Sequence, residues 1–294
     1  MIDDVSKTFD RFLNINLQKK NMKIFLPEIS IEDGVKVYKG LNLWTPFPNF
    51  PVFGGQLISQ CLFSCMNELP AGVLPHSLNI YFTRPCLPNL ELKIIVKKKK
   101  GGKILSLYDI DAFQNEKLVC AMNVSVSIEQ ECSKEHQCES ISLRNVDYFE
   151  ISRFFEKLNF FNNEIKKKYE IVGQSIEVYV SEPINNSKQV KFLLKNGCTD
   201  KKEYLSFLGF ISDFFLVESS LIPLNLSIID KKIKLITSID HKLYFHSYEI
   251  HSEVFMTIKC IKINNSKVLC TGYILNKENI LLASVYQEGM LLFN

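Results

Sequence analysis

The sequence predicts an α+β fold made of two similar halves, each combining one long helix with a set of antiparallel strands. The first observation is a repeat. Leu78–Phe82 is echoed by His241–Phe245, and the turn segment Gln114–Lys117 is echoed by Asn276–Asn279. Both pairs have the same separation along the chain to within one residue, which indicates an internal duplication. The second observation is that helical and strand periodicity follow each other in the same order in both halves.

The first half begins with a helical lead-in at Val5–Leu17, where apolar residues recur at helical spacing. Gly34–Leu43 alternates between apolar and polar residues as a strand does, and a proline-rich loop follows. From Gln56 to Leu69, apolar residues recur every three or four positions, which predicts a helix with a broad apolar face. The alternation after this helix predicts four antiparallel strands, at Ser77–Thr83, Glu91–Lys98, Ile104–Phe113 and Lys117–Ser127.

A polar and aromatic segment separates the two halves, and Tyr148–Tyr169 within it has the pattern of a helix. The second half repeats the plan of the first, with a long helix predicted at Lys202–Glu218. Its strands are predicted at Ile176–Val180, Val190–Leu194, Leu235–Tyr244, Val254–Ile263, Val268–Leu275 and Ile280–Leu292. The pattern therefore predicts an N-terminal unit at residues 1–130, a connecting segment at residues 131–172 and a C-terminal unit at residues 173–294.

Composition excludes several classes of protein. The net charge of +3 over 294 residues is too small to indicate a nucleic-acid partner. No apolar run approaches the length of a membrane span, and the acidic start of the chain does not resemble a leader. The nine cysteines lie mostly in apolar runs without the paired spacing of a zinc site. We therefore expect reduced thiols, no metal, and a cytoplasmic protein, since the C-terminus has no peroxisomal signal either.

Four short motifs together resemble the acyl-CoA thioesterase II family. They are Phe53-Gly54-Gly55-Gln56, His76-Ser77-Leu78, Ile239-Asp240-His241 and Gln287-Glu288-Gly289, in this order along the chain. The resemblance covers roughly residues 34–130 and 174–291. It implies a double hotdog fold, in which two tandem hotdog units each wrap an antiparallel sheet around a long central helix. Peroxisomal members of the family are also known, so that compartment is the alternative to the cytoplasm.

The resemblance also implies an activity, the hydrolysis of fatty acyl-CoA to free fatty acid and CoA without a metal or a cofactor. The family uses an acid, a hydroxyl and an amide to orient and activate water, and these fall on Asp213, Ser238 and Gln287. The residue types suit the chemistry, because a thioester carbonyl is already electrophilic. The protein must hold a water at attack distance and accept its proton.

Further residues are candidates for binding the substrate. The glycine pair opens the first central helix, where the lack of side chains lets a ligand approach free backbone N–H groups, which are suitable donors to an oxyanion. His76 is the other candidate base, and Asp240 and His241 are expected to have structural roles. A basic turn is expected either to contact the phosphates of CoA or to be a solvated hairpin tip. The candidates are Gly54, Gly55, His76, Lys97, Lys98, Lys99 and Lys100.

The chain also departs from the family pattern. The family usually continues with Arg-Pro where this chain has Ser247-Tyr248 after Phe245-His246. Two alternatives therefore stay open. One is a hotdog hydratase acting on enoyl or hydroxyacyl thioesters, with His76 or His241 as its second group. The other is a catalytically weak acyl-CoA-binding protein. A homo-oligomer formed through the hotdog sheets is a further expectation.

Overall fold

The computed structural model describes residues 26–32, 35–102, 104–129, 134–157, 163–195 and 197–294, so the predicted helix Val5–Leu17 lies outside the described residues. The helices are α1 (Gly54–Met66), α2 (Ile151–Lys157), α3 (Asn163–Gly173), α4 (Lys201–Ile211) and a 3₁₀ helix (Val217–Leu224). The strands are β1 (Glu28–Glu32), β2 (Val35–Gly40), β3 (Val73–Phe82), β4 (Leu92–Lys100), β5 (Leu105–Gln114), β6 (Lys117–Ile128), β7 (Tyr148–Glu150), β8 (Ile176–Ser181), β9 (Ser187–Leu194), β10 (Ile233–Ser238), β11 (Asp240–Phe245), β12 (Glu253–Asn264), β13 (Lys267–Leu275) and β14 (Leu281–Phe293).

The described strands form one antiparallel sheet in the order β1-β2-β4-β5-β6-β3-β11-β14-β13-β12-β9-β8-β7, with β10 also paired to β14. The two halves join where β3 meets β11, with Leu78 opposite Leu243 and Tyr81 opposite Asp240. The repeated segments Leu78–Phe82 and His241–Phe245 are therefore neighbours in space. They pair with each other across the join of the two halves.

The central helices α1 and α4 pack against each other inside this sheet. Nearly every residue of α1 is buried, including Ile58 and Leu62, because the helix has apolar side chains at three- and four-residue spacing on a broad face. Gly209 of α4 lets the two helices approach closely, since a β-carbon there would lie 3.2 Å from Cγ2 of Ile58. Asp200 caps α4 by accepting a hydrogen bond from the Glu203 N–H at 3.0 Å. The predicted α+β class is confirmed.

Two predicted helices have different bounds in the structure. Tyr148–Tyr169 begins as the strand β7, because Tyr148 pairs with Ser181 at the edge of the sheet. Only the residues after Glu150 are helical, in α2 and α3. The helix predicted at Lys202–Glu218 ends at Ile211, and its last residues belong to a turn and to the 3₁₀ helix.

The strand predicted at Leu235–Tyr244 is two strands, β10 and β11, which are interrupted at Ile239. Both strands pair with β14, but β10 pairs with its second half and β11 with its first half. At the break, the Ile239 N–H donates to the Glu288 carbonyl at 2.8 Å, and the Ile239 carbonyl accepts from the Phe82 N–H at 3.0 Å. The change of pairing leaves Ser238 at the end of β10, beside the middle of β14.

Candidate active site

The side chain of Gln287 joins the three residues that the family resemblance implies for catalysis. Its Nε2 donates to Asp213 Oδ1 at 2.8 Å and to Ser238 Oγ at 2.5 Å. Asp213 and Gln287 are 7% and 1% exposed, so these hydrogen bonds lie in the interior of the protein. The three side chains come from the turn after α4, the end of β10 and the middle of β14. Residues distant in the sequence therefore form one hydrogen-bonded set.

Asp213 lies in the turn that ends α4. The Ser212 N–H still bonds to the Leu208 carbonyl at 3.0 Å, whereas the Phe214 N–H bonds to the Ile211 carbonyl, three residues back. Phe215 then has a φ of 57°, in the left-handed region that bulky residues rarely adopt. The chain therefore does not continue as an α-helix after Ile211, and Asp213 lies in the turn that follows α4.

The glycine pair Gly54-Gly55 meets the Asp213 carboxylate. The Gly55 N–H donates to Asp213 Oδ2 at 3.0 Å. A β-carbon on Gly54 would lie 2.7 Å from the same oxygen, and one on Gly55 would lie 2.2 Å from the Phe210 carbonyl oxygen. The sequence predicts a close approach at these glycines, and the group that approaches is the Asp213 carboxylate. We expected the backbone N–H groups at the glycine pair to be free for a ligand. Instead, the Gly55 N–H donates its hydrogen bond to Asp213.

The environment of Asp213 raises the pKa of its carboxyl to about 7. Burial is the main cause, because it disfavours the charged form, and the negative charge of Glu218 acts in the same direction. The hydrogen bonds from Gln287 and from the Gly55 N–H oppose the shift, since they stabilise the carboxylate. A carboxyl group with a pKa near neutrality can act as a general base under physiological conditions.

His241 is a neighbour of this site, and the sequence analysis expects it to have a structural role or, in a hydratase, to be the second catalytic group. Its Nδ1 lies 3.9 Å from Asp213 Oδ1, and its Nε2 lies 2.9 Å from the Ser212 hydroxyl. The side chain is fully buried, and burial lowers the pKa of its imidazole to about 3, so the ring is neutral. His241 belongs to the motif Ile239-Asp240-His241, which the sequence analysis singles out. A histidine in a predicted strand does not by itself indicate which residues its side chain faces.

His76 and the lysines lie apart from the three residues. His76 sits at a bulge, where β3 shifts register against β6, and no hydrogen bond of the described residues joins it to Asp213. The lysines are exposed on β4, which is separated from β14 by the four strands β5, β6, β3 and β11. The sequence analysis describes them as part of a basic turn, but in the structure all four belong to the strand β4. These residues are Lys97, Lys98, Lys99 and Lys100.

Neither a metal cluster nor a membrane helix is found where the structure describes the chain. Within those residues, no group of three or more His, Cys, Asp or Glu side chains is arranged to hold a metal ion. No helix among them is long and apolar enough to cross a membrane.

Comparisons with known proteins give matches over both halves. A protein-family model described as the acyl-CoA thioesterase N-terminal domain matches residues 43–128. A second family model, described as acyl-CoA thioesterase, matches residues 173–290. The chain is 25% identical to acyl-CoA thioesterase 2 of Haemophilus influenzae over 257 residues, which covers 83% of this chain and 88% of that protein. It is 22% identical to human acyl-coenzyme A thioesterase 8, over 87% of this chain and 84% of that protein.

A shorter match is to peroxisomal acyl-coenzyme A thioester hydrolase 1 of Saccharomyces cerevisiae, at 29% identity over 29% of this chain and 24% of that protein. Among solved structures, the fold is similar to that of an acyl-CoA thioesterase II from Mycobacterium marinum. The TM-score is 0.72 at 16% identity, with 94% of this chain and 98% of that chain covered. A hotdog protein from Alicyclobacillus acidocaldarius gives 0.68 at 13% identity, with 90% and 96% covered. These likenesses establish the hotdog fold.

Proposed function

The chain belongs to the acyl-CoA thioesterase II family, and we propose that Asp213, Ser238 and Gln287 are the residues with which it activates water against the thioester. It is an acyl-CoA thioesterase, which hydrolyses acyl-CoA to a free acid and CoA. The two family models together span more than half of the chain, and they match both halves. The observation that carries the proposal is the bridge that Gln287 makes between Asp213 and Ser238.

The hydrogen bonds support a proposed role for each group. Gln287 uses its Nε2 to hold Asp213 and Ser238, which fixes the plane of the amide. Its Oε1 is buried and makes no hydrogen bond within the described part of the chain, so it is available to accept one from a water. Because the Ser238 oxygen accepts from Gln287, its own hydrogen is free to be donated to the water or to the thioester oxygen. These groups hold a water for attack beside the carboxylate.

Asp213 is then the general base. Its carboxylate accepts a proton from the water while the water oxygen attacks the carbonyl carbon. The carbon–sulfur bond breaks as the tetrahedral intermediate collapses, the CoA thiolate leaves and takes up the proton held by Asp213, and the fatty acid is released. Asp213 is thereby returned to its carboxylate form. The hydrogen bond from Gln287 to Ser238 holds both groups in place, so that little reorganisation accompanies attack.

The test is thiol release from acyl-CoA substrates of 2 to 18 carbons by the wild type and by Asp213→Asn. Release by the wild type and a loss of about a hundredfold or more in the variant are expected. Equal release by the two proteins would exclude Asp213 as the base. Binding of acyl-CoA without turnover by the wild type would instead support a binding protein.

A hydratase is a second candidate, because His241 lies 3.9 Å from the Asp213 carboxylate and such enzymes pair a base with an acid. The neutral, fully buried ring argues against a role as acid, since the pKa of His241 is lowered to about 3. Incubation with an enoyl-CoA distinguishes the two reactions. A hydratase produces a 3-hydroxyacyl-CoA with its thioester intact, whereas a thioesterase releases free CoA.

The lysines of β4 are proposed to contact the phosphates of CoA. Lys97 to Lys100 are four successive exposed cations, and lysine is suited to phosphate as a flexible point charge. Lys99 is paired with Asp109 at 3.2 Å, so it would have to exchange this partner. Their replacement by glutamine is expected to raise KM and leave kcat unchanged, and an unchanged KM would assign them to the solvated surface.

Gly54 and Gly55 are proposed to let the thioester approach Asp213, and His76 stays a candidate for substrate contact.

A cytoplasmic location, a homo-oligomer formed through the sheets, and the division at residues 130 and 173 are further proposals. The apolar surroundings of most cysteines support the reducing compartment, whereas the yeast relative with a peroxisomal name favours the peroxisome. Fluorescence microscopy of a tagged chain decides between the two compartments. Light scattering coupled to gel filtration measures the oligomeric state.

A further inference from the structure

Two cysteines lie directly opposite each other on neighbouring strands of the sheet. Cys260 of β12 pairs with Cys270 of β13, next to a bulge in β12, and both are free thiols. Opposite residues of an antiparallel pair point to the same face of the sheet, with Cα atoms about 4.5–5.5 Å apart. A disulfide joins residues whose Cα atoms are about 4.4–6.8 Å apart. The backbone therefore already has the spacing that a disulfide between these two residues needs.

The two thiols contact each other but differ in exposure. Cys270 is fully buried, whereas Cys260 is partly exposed and makes only long contacts with the carbonyl oxygens of Lys262 and Leu269, at 3.5 and 3.6 Å. The hydrogen bond between the two thiols lowers the pKa of Cys260, although burial opposes the shift. The same hydrogen bond, together with burial, raises the pKa of Cys270. An accessible thiol that ionises readily, beside a second thiol, is typical of oxidation-sensitive cysteines.

Cys270 is also the cross-strand neighbour of the proposed catalytic amide. Gln287 of β14 lies directly opposite Cys270, and both side chains are buried. Cys260, Cys270 and Gln287 therefore form one row across three neighbouring strands. The last member of this row holds Asp213 and Ser238 through its Nε2. A displacement of Cys270 would therefore act on the strand that positions this amide.

A second contact of Cys270 reaches the segment that follows Asp213. The Cys270 thiol hydrogen-bonds with the Ser219 hydroxyl, in the 3₁₀ helix after the turn. Ser219 donates its own hydrogen to the Leu216 carbonyl at 2.6 Å, so the contact with Cys270 uses the hydrogen of the thiol. A disulfide sulfur has no hydrogen to donate. Bond formation with Cys260 would therefore remove this contact.

We propose that Cys260 and Cys270 are an oxidation site, at which hydrogen peroxide forms a reversible disulfide that slows thioester hydrolysis. The Cys260 thiolate attacks a peroxide oxygen, which gives a sulfenic acid and hydroxide, and the hydroxide takes up the proton that the thiol lost. The Cys270 thiol then displaces water from the sulfenic acid, and the sulfur–sulfur bond forms. Two thiols are oxidised in total, and one peroxide is reduced to two waters.

The disulfide is reversed by thiols. A thiolate attacks one of its sulfurs to give a mixed disulfide, and a second thiol then releases the cysteine of the protein. In a reducing compartment the pair rests as two thiols and is oxidised only when peroxide rises. Formation of the disulfide does not depend on the proposed function, whereas its effect on turnover rests on it.

The experiment treats the reduced protein with hydrogen peroxide, removes the excess, and measures kcat for CoA release from acyl-CoA. A second sample is reduced again with dithiothreitol, which is removed before the assay. Free thiols are alkylated, and mass spectrometry of peptides locates the disulfide. The oxidised wild type is expected to contain the bond between Cys260 and Cys270, to lose about tenfold in kcat and to recover on reduction. Cys260→Ser is expected to have the kcat of the reduced wild type and to keep it in peroxide.

Cys138→Ser is the matched control. Cys138 is an exposed thiol whose pKa is also lowered, by hydrogen bonding with Ser140, but it does not belong to β12 or β13. This variant is expected to lose activity in peroxide as the wild type does. Equal resistance of the Cys138 and Cys260 variants overturns the inference. So does an oxidised wild type without a disulfide between Cys260 and Cys270, even if Cys260→Ser does not fold.

The two proposals fail in different ways. If the reduced wild type releases no CoA, or if Asp213→Asn releases it as the wild type does, the proposed function fails, and the peptide analysis still decides whether the disulfide forms. If the wild type hydrolyses acyl-CoA and Asp213→Asn does not, while the disulfide forms without a fall in kcat, only the regulation by Cys260 and Cys270 fails.

Discussion

Gly54 and Asp213 lie so close that a β-carbon on the glycine would be 2.7 Å from the carboxylate Oδ2. The first turn of one central helix thus contacts the turn that ends the other. Any side chain at position 54 must displace either the Asp213 carboxylate or the start of α1. The position of the proposed base therefore depends on a glycine 159 residues earlier in the chain.

Gly54→Ala is expected to lower kcat for thiol release by about a hundredfold, because a displacement of the base by about 1 Å costs on that order. Gly173→Ala is the matched control, since a β-carbon at the end of α3 meets no atom of the described residues within 4 Å. Thermal unfolding of both variants separates a local displacement from loss of the fold. Wild-type kcat in a folded Gly54→Ala protein would contradict the importance of this contact.

The turnover rate is expected to rise with pH around a midpoint of about 7. The pKa of Asp213 is raised to about 7, so below this pH the carboxyl group is protonated and cannot accept the proton of water. His241 does not titrate in this range, because burial lowers its pKa to about 3. The measurement is kcat between pH 5 and 9 at saturating acyl-CoA. A kcat that is flat between pH 5 and 7 would exclude Asp213 as the base.

Ser238→Ala is expected to lower kcat about tenfold to a hundredfold, because it removes a hydroxyl that orients the water and accepts from Gln287. Thr237→Val is the control, since Thr237 is exposed and successive residues of a strand face opposite sides. The pair of variants compares two neighbouring hydroxyl groups of the same strand. If both variants, or neither, lose activity, the assignment of Ser238 is wrong.

Asp213→Asn is expected to be more stable than the wild type at high pH. The folded-state pKa of about 7 lies above the ordinary value of 3.8, so the folded wild type binds more protons than the unfolded chain between these values. Its stability therefore falls as pH rises from about 4 to about 7, and asparagine avoids this loss. We expect the difference in Tm to be smallest below pH 4 and largest above pH 7. A difference that does not depend on pH would mean that Asp213 has an ordinary pKa.

The repeat could be predicted from the sequence because it depends on local pattern, whereas Asp213, Ser238 and Gln287 were implied by the family resemblance and stay a prediction as catalytic residues, although the structure brings them together. The echo between Leu78–Phe82 and His241–Phe245 became a direct strand pair. The end of α4 could not be predicted in the same way. Apolar residues continue at helical spacing through Val217, and nothing in the sequence marks Phe215 as left-handed. The turn that follows Ile211 contacts α1 through the hydrogen bond from the Gly55 N–H to Asp213, a contact between distant residues that the sequence pattern does not contain.

The neighbours of the site were harder to predict than its members. The glycine pair indicated that something approaches α1, but its partner is 158 residues away in the chain and depends on how the two helices pack. The same is true of His241 and Glu218, which lie near Asp213 because of how the chain folds. A sequence pattern contains no information on such distances. The division of the chain into two units that end at residue 130 and begin at residue 173 stays a prediction.

Two further variants are expected to move the midpoint of the pH–rate profile in opposite directions. The negative charge of Glu218 raises the pKa of Asp213, whereas the hydrogen bond from Gln287 lowers it. Glu218→Gln should therefore shift the midpoint below that of the wild type, and Gln287→Met should shift it above, with a lower kcat as well. Both are measured from the residual activity between pH 5 and 9. A role of Gln287 that was only structural would lower kcat at every pH without moving the midpoint, so the direction of the shift identifies Gln287 as the group that tunes the base.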